Sequence, residues 1–289
     1  MNAPVLQFPA WRSGPGPQPP GRPGLGWVST AHPAAAFTLI ELLVVLSIIG
    51  IIAALTMPAL KSWNKSNVTT SANRQLLADL ALARQSAITM RTPVYMVFLP
   101  PSIGDSTQVN PALLASASDR RTFTNLLAGQ YASYALFTAR QVGEQPGRSS
   151  PRYLTAWKTL PQGAFFSTNK FALTYPPPNP TLKVNGVQVF TNYLLCPFPS
   201  ARSPVSLPMP FIAFDARGGL TSGAADVKRD EILPLARGSV FPRHDLGRNL
   251  VQALPYITEN PPGSSIILSN HIVVNALTGR AHLETQQLQ

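Results

Sequence analysis

The chain has 289 residues, which is enough for one large domain or two small ones with a hydrophobic core. Only 12% of the residues are charged and 30 are Pro, which excludes a disordered polyampholyte and a compact cytosolic enzyme and favours a loop-rich β domain with an apolar anchor. The formal net charge of +11 would attract phosphates, acidic polysaccharide or anionic lipid, but no run of Lys and Arg exceeds two residues, so scattered solubilising charge is the favoured interpretation.

Residues 1–36 form a Pro-rich segment, with eight prolines and five glycines in phrases such as SGPGPQPPGRPGLG. A segment of this composition has too few apolar side chains to pack into a core. We therefore interpret it as a cleaved or disordered leader that precedes the folded part of the chain.

The next segment, residues 37–60, is almost entirely apolar and carries a single charge at Glu41. As a helix it would be about 36 Å long, which exceeds the roughly 30 Å of a bilayer's hydrocarbon core. We therefore expect a transmembrane and assembly helix over this range. A carboxylate in such a segment is costly unless a cation compensates it, so Glu41 is a candidate functional residue.

The helical period continues beyond the apolar segment as an amphipathic extension over residues 61–92. Apolar residues form one narrow face at i, i+3 and i+4 spacing, and polar residues are predicted to lie on the other side. The apolar face consists of Ala72, Leu76, Leu80, Ala83 and Ala87, and the polar side of Arg74, Gln75, Asp79 and Gln85. Because Pro93 forbids continuation, one helix from about 37 to 91 is predicted, with a kink at Pro58.

Residues 93–289 change to a period of two, which predicts an antiparallel β domain. The strand candidates are residues 94–99, 131–139, 153–160, 181–190, 211–216, 265–277 and 280–284. Asn185-Gly186 predicts a hairpin turn. Long Pro-rich connections are predicted at about 100–130, 174–180, 196–210 and 223–264. The predicted fold class is α+β, with a long N-terminal helix packed on an antiparallel sheet or sandwich.

Glu41 would gain a cationic partner if the chain were cut between Ala36 and Phe37. The cut would create an α-amino group one helical turn before Glu41, at a helix N-terminus where the dipole disfavours positive charge. Glu41 could neutralise this amine in its own chain or in a neighbouring subunit. In the second case the ion pair would set the axial stagger between two apolar helices and would favour a filament.

The segment FTLIELLVVLSIIGIIAALTMPAL, which follows Ala36, resembles the N-terminal methylation motif of type IV pilins and pseudopilins. The resemblance implies that a prepilin peptidase cuts between Ala36 and Phe37 and methylates Phe37, and that Glu41, the fifth mature residue, guides assembly. Pro58 matches the helix-breaking proline that pilins often carry. Ala36 stands where the family prefers Gly.

Later segments are similar, in their order, to minor pseudopilins of the GspH type and FimT-like minor pilins. These segments are LLADLALARQSAITMRTPVYMVF, WKTLPQGAFF, FIAFDARGG and HIVVNALTGRAHLE. The long insertions and basic surface also resemble the pilin-like protein D of Verru_Chthon gene cassettes. The resemblance implies a non-enzymatic structural subunit of a type II secretion or type IV pilus-like filament. It would be held in the inner membrane by a single pass, with its C-terminal domain in the periplasm or on the cell surface. The implied partners are the prepilin peptidase, other pilin or pseudopilin subunits and the inner-membrane assembly platform.

Two alternative functions remain open. One is a FimT-like, DNA-binding minor pilin in DNA uptake, because basic residues lie among aromatic residues that could stack on bases. The basic candidates are Arg120, Arg121, Arg140, Arg148, Arg152 and Lys158, and the aromatic ones are Tyr131, Tyr134, Tyr153 and Trp157. The other is a signal-anchored β domain that does not assemble.

The sequence predicts no catalysis, no cofactor and no metal site. It contains no nucleophile, phosphate-binding or metalloprotease motif. His271 and His282 could meet across a terminal hairpin, but two histidines make an incomplete metal site. Cys196 is the single cysteine, which excludes an intrachain disulfide and a cysteine zinc site, and its apolar neighbours predict a buried side chain.

Overall fold

The computed structural model describes residues 16, 38–104, 116–141, 143–145, 150–172, 183–184, 186–221, 229–244, 253–266 and 270–285, with the backbone alone at 55–67, 104, 270 and 285. The predicted leader, apart from Gly16, lies outside the described residues, as do Asn185 and the predicted connection at 174–180. The chain divides into two units, Met1–Ala54 and Leu55–Gln289, and each is described by itself.

The long helix α1 comprises Leu39–Met90, close to the range of about 37–91 that the periodicity predicts. Thr38 caps its first turn, because its Oγ1 accepts a hydrogen bond from the backbone N–H of Glu41 at 3.3 Å. The helix ends before Arg91, whose φ of +51° leaves the helical conformation two residues ahead of Pro93. The backbone is helical through position 58, and the kink at Pro58 stays a prediction.

Apart from Gly16, the described part of the first unit is the start of α1, residues 38–54, in which every side chain is exposed. Within the described residues, no helix combines the length and the hydropathy that crossing a membrane requires. The transmembrane helix predicted over residues 37–60 is therefore not found in this part of the chain.

In the second unit the described strands form two larger sheets and one hairpin, and all of their pairs are antiparallel. The strands are β1 Val94–Phe98, β2 Ser133–Thr138, β3 Arg152–Tyr153, β4 Lys158–Thr159, β5 Ala164–Phe166, β6 Lys183–Val184, β7 Val187–Gln188, β8 Tyr193–Pro197, β9 Ser206–Phe214, β10 Leu220–Thr221, β11 Glu231–Phe241, β12 Tyr256–Glu259, β13 Asn270–Val274 and β14 Ala281–Thr285. The first sheet has the order β10-β9-β1-β2-β3, with β4 also paired to β2 and β8 to β9. The second has the order β12-β11-β13-β14, with β5 paired to β11, and β6 and β7 form the hairpin. The predicted α+β class with antiparallel sheets is confirmed.

The first sheet is covered by helices on both faces. Met96 and Phe98 of β1 belong to one core cluster with Leu76 of α1, whereas Val97 belongs to a second cluster with Phe123 of a second helix, α2 (Ala117–Ala128). Because side chains alternate across a strand, the two helices lie on opposite faces of the sheet. Leu233, Ile272 and Val274 of the second sheet join the α1 cluster, so the second half of α1 shares one core with both sheets.

Helix α2 lies within the stretch predicted as a Pro-rich connection at about 100–130, and that prediction is wrong for these residues. Ser116 caps the helix by accepting a hydrogen bond from Ser118 N–H at 3.2 Å, and Gly129 follows its C-terminal end. Phe123, Leu126 and Leu127 are buried at i, i+3 and i+4 spacing. The predicted connection overlooked this short apolar face among polar residues.

Strands β9 and β11 run through stretches predicted as Pro-rich connections at 196–210 and 223–264, so those predictions are also wrong in part. The Phe211 N–H donates to the carbonyl of Asn192, beside β8, at 3.4 Å. Successive backbone N–H groups of a strand point to opposite sides, so the nitrogens of Pro208 and Pro210 face away from β8. β1 pairs only with residues 211–214 of β9, so no ladder donor is needed at either proline. Proline is therefore compatible with both positions.

Candidate functional site

The described start of α1 presents apolar side chains on all its sides. Eleven large apolar residues of this segment are 44–82% exposed: Leu39, Ile40, Leu42, Leu43, Val44, Val45, Leu46, Ile48, Ile49, Ile51 and Ile52. Ser47, one of the few polar residues among them, donates its hydroxyl to the carbonyl of Leu43 at 2.8 Å, so this group is satisfied within the helix. A helix that is apolar all round is stable only in apolar surroundings, so this surface requires apolar partners.

Glu41 is the only charged residue in this described segment, and it lies in the first turn of α1. Its side chain is exposed, and the ion pairs found among the described residues involve other groups. A carboxylate in the first turn interacts favourably with the exposed N–H groups of the helix. The carboxylate of Glu41 is therefore placed where it can form an ion pair with a cationic group of another segment. Ala36 and Phe37, the residues of the predicted cleavage and methylation, lie outside the described residues.

The basic residues predicted for nucleic-acid contact are distributed over several elements. Arg120 and Arg121 are exposed on α2, Arg140 follows β2, and Arg152 is exposed on β3. Arg148 lies outside the described residues. The sixth candidate, Lys158 on β4, places its Nζ 2.5 Å from Oδ1 of Asp79, so this charge is already paired.

The aromatic residues predicted to stack on bases are engaged inside the protein. Tyr131 and Tyr134 are buried, and burial raises the pKa of Tyr131 to about 12. Tyr153 donates its hydroxyl to the carbonyl of Pro197 at 2.8 Å. Trp157 donates its indole N–H to the carbonyl of Pro199 at 2.9 Å. These side chains form core and turn contacts rather than a stacking surface, and nucleic-acid contact stays a prediction.

The prediction that Asp79 lies on the polar side of the helix is wrong, because this residue is only 6% exposed. Its Oδ2 accepts a hydrogen bond from the Tyr134 hydroxyl at 2.6 Å, and Gln75 donates to the same hydroxyl at 2.9 Å. Burial, and then the hydrogen bond to Asp79, raise the pKa of Tyr134. This network fixes α1 against the first sheet. The sequence contained a signal for the burial of Asp79, because this residue lies three positions after Leu76 and therefore on the same face of the helix.

Among the described residues, the histidines do not form a cluster with other metal-binding groups. In the β13–β14 register His271 lies opposite Glu284, whereas His282 lies opposite Val273. Burial lowers the pKa of His271, and the nearby Glu284 carboxylate opposes this shift. The described residues contain no group of three or more side chains suited to hold a metal ion.

Cys196 is fully buried, as predicted from its apolar neighbours. Burial raises the pKa of its thiol to about 12. The thiolate is the reactive form of cysteine, so this side chain is chemically inert near neutral pH. It acts as a small apolar residue of the core cluster under α2.

Residues 32–57 match the family model of the prokaryotic N-terminal methylation motif. No curated protein and no solved structure matches the chain at significant similarity. The matched range includes the predicted cleavage site at Ala36 and Phe37, Glu41 and all eleven exposed apolar residues at the start of α1. The motif supports the interpretation that the chain is a pilin-like protein, which a prepilin peptidase processes and which is associated with the cell envelope.

Proposed function

We propose that this chain is a minor pseudopilin, a structural subunit of a type II secretion or type IV pilus-like filament. The observation that carries the proposal is the methylation motif over residues 32–57, which coincides with a helix whose apolar side chains are exposed on all sides. A subunit of this kind is the substrate of a processing enzyme and has no catalytic role of its own.

The physical role of Glu41 follows from the charge that cleavage would create. A cut before Phe37 leaves a cationic α-amino group about 6 Å along the helix axis from Glu41, at the end of the helix that disfavours positive charge. The exposed carboxylate of Glu41 in one subunit can pair with the amine of its neighbour. An ion pair of this kind contributes most to the stability of the assembly in apolar surroundings, because either charge left unpaired there is costly. The pair therefore favours the one axial stagger between packed helices in which both charges are paired.

The apolar side chains at the start of α1 supply the affinity between subunits, and the ion pair sets the axial position of one helix against the next. Before assembly, the apolar start of α1 would hold the subunit at the inner membrane, with the β domain outside the cytoplasm. The proposed partners are the prepilin peptidase, other pilin or pseudopilin subunits and the inner-membrane assembly platform.

The first test of the proposal is the mature N-terminus of the protein isolated from its native host. Peptide mass spectrometry should identify N-methyl-phenylalanine at position 37 as the first residue. A mature protein that retains the leader ahead of Phe37 would contradict the proposal.

The second test separates processing from assembly. Glu41→Gln keeps the size and shape of the side chain but removes its charge, so processing should persist while incorporation into filaments falls at least about tenfold. Ser47→Ala is the matched control, because the Ser47 hydroxyl only bonds to its own helix. Equal incorporation of Glu41→Gln and Ser47→Ala, measured by cross-linking in the native host, would refute the ion-pair role.

DNA uptake is tested by the same purified protein. Retention on DNA that falls steeply between roughly 50 and about 200 mM salt would favour the FimT-like alternative. The engagement of Lys158 and of the four aromatic residues within the domain does not favour that alternative. A protein that is anchored but never cross-links to another subunit would instead be a signal-anchored domain.

A further inference from the structure

A cavity of about 420 Å³ lies in the second unit, beside the paired strands β11 and β12. Its walls include Val68 of α1, Gly163 in the turn before β5, Arg237 and Phe241 of β11, and Thr258 of β12. The volume falls within the range of roughly 300–1,000 Å³ that is typical of small-molecule sites. The cavity is distinct from the processed segment and from the Asp79 network.

The walls are mainly apolar, but they also include the polar residues Ser239, Thr258 and Asn260 and one positive charge. Arg237 is the only charged residue among the described residues that line the cavity. The two ion pairs found among the described residues, Lys158 with Asp79 and Lys170 with Glu231, do not involve it. A guanidinium beside apolar walls is suited to a carboxylate that is attached to an apolar body.

An exposed aromatic pair at the end of the β11–β12 pairing extends the apolar surface. Phe241 lines the cavity and is 52% exposed, and its cross-strand partner Tyr256 is 65% exposed. Phe, Tyr and Arg are the residue types that binding surfaces favour. The pair therefore adds apolar area at the Phe241 end of the cavity that Arg237 also lines.

Backbone hydrogen bonds hold the walls in place. The carbonyl of Arg237 accepts from Asn260 N–H at 2.9 Å and from the Ser264 hydroxyl at 3.0 Å. The N–H of Gly238 donates to the carbonyl of Gly163 at 3.0 Å. A Cβ at Gly238 would lie 2.0 Å from the carbonyl oxygen of Thr258, so the two strands approach here as only glycine permits. A site formed by such fixed backbone needs little rearrangement to bind a ligand.

We propose that this cavity binds an apolar carboxylate, with the carboxylate on Arg237 and the apolar body against Phe241 and Val68. The same chemistry occurs in free small acids and at the C-terminal end of a polypeptide. The proposal is independent of the assembly role, because none of its residues lies in the methylation motif.

The test uses the full chain, labelled with ¹⁵N-glycine and held in detergent micelles. Titration with 1-naphthylacetate should shift the amide resonances of Gly163 and Gly238 in a saturable manner. The uncharged 1-naphthylacetamide should bind at least about tenfold more weakly, because it lacks the charge that pairs with Arg237. Absence of saturable shifts at both glycines, or equal binding of the amide, would overturn the proposal.

Variants locate the charge that binds the ligand. Arg237→Gln should weaken 1-naphthylacetate about tenfold, whereas Arg202→Gln, an exposed arginine after β8, should leave the affinity unchanged. Unchanged glycine spectra without ligand would show that both variants are folded. Equal affinity of the Arg237→Gln variant and the unaltered protein would refute the role of Arg237.

A second pair of probes distinguishes the two sources of the carboxylate. A pentapeptide that ends in Phe with a free carboxylate is compared with the same peptide carrying a C-terminal amide. Tighter binding of the free peptide than of 1-naphthylacetate would identify a polypeptide end as the ligand. Weaker binding would identify a small acid.

Discussion

The two ends of α1 have the same backbone conformation but opposite surface chemistry. At the start of the helix, from Leu39 to Ala54, large apolar side chains are exposed on all sides. In the second half, Ala72, Leu76, Leu80, Ala83 and Ala87 are completely buried against the sheets. The first part therefore depends on other molecules for its apolar surroundings, whereas the second part finds them within its own domain. One helix thus exposes an apolar surface at one end, where the proposed assembly would take place, and packs into its own domain at the other.

The largest expected effect of a point change on stability lies in the second half of α1. Leu76→Ala should lower the free energy of unfolding of the β domain by about 2–5 kcal/mol, because it leaves a cavity in the core shared by both sheets. Leu46→Ala removes the same atoms from the exposed start of α1 and should change that free energy by less than about 0.5 kcal/mol. Denaturant unfolding of the two variants measures the contrast. An equal loss of unfolding free energy in the two variants would show that the two parts of the helix do not differ in their contribution to the stability of the domain.

A smaller effect is expected for the polar contact that fixes the second half of α1. Asp79→Asn removes the charge that pairs with Lys158 and weakens the acceptor of the Tyr134 hydroxyl, which should cost about 1–3 kcal/mol. Asp119→Asn, in the first turn of α2, is the control for loss of a carboxylate outside this network. Thermal unfolding compares the two variants. A stability of Asp79→Asn at or above that of the control would contradict the proposed contact.

The smallest effect is expected only at high pH. The pKa of Tyr134 is raised above its ordinary value of 10.0 by burial, and the hydrogen bond to Asp79 adds to the shift. A raised pKa means that the folded state favours the neutral phenol, so its contribution to stability is complete below pH 10 and is lost as the pH rises above it. The unfolding free energy of Tyr134→Phe should therefore fall less steeply above pH 10 than that of the unaltered protein. Parallel slopes for the two proteins would exclude this linkage.

Features that depend on short stretches of sequence were predictable. The range of α1 and its buried face follow from a repeating apolar pattern, and the five predicted positions of that face are all buried. The hairpin of β6 and β7 surrounds Gly186, whose φ is +81°, as the Asn185-Gly186 pair predicts. The order of Ala36, Phe37 and Glu41 in an apolar segment indicates the methylation motif that the family model matches. In each case neighbours in the sequence carry the physical cause.

Features that depend on partners far along the chain were missed. Prolines in β9 and β11 are evidence against a strand only if their nitrogens face a neighbouring strand, and the sequence does not state which edge is paired. Pro208 and Pro210 occupy the unpaired side of their part of β9. Asp79 is buried because Tyr134 and Lys158 are brought to it from 55 and 79 residues away. Burial of a polar side chain cannot be inferred until such partners are known.

The amino-acid sequence alone determined the processing motif, the apolar character of the start of α1 and the amphipathic character of its second half. These properties are local, because they depend on residue types and spacing within one segment. The tertiary structure alone decided which polar groups pair with α1, which strands tolerate proline and where Arg237, Phe241 and Val68 surround a cavity. These outcomes require contacts between distant segments, and only the folded chain brings such segments within hydrogen-bonding and packing distance.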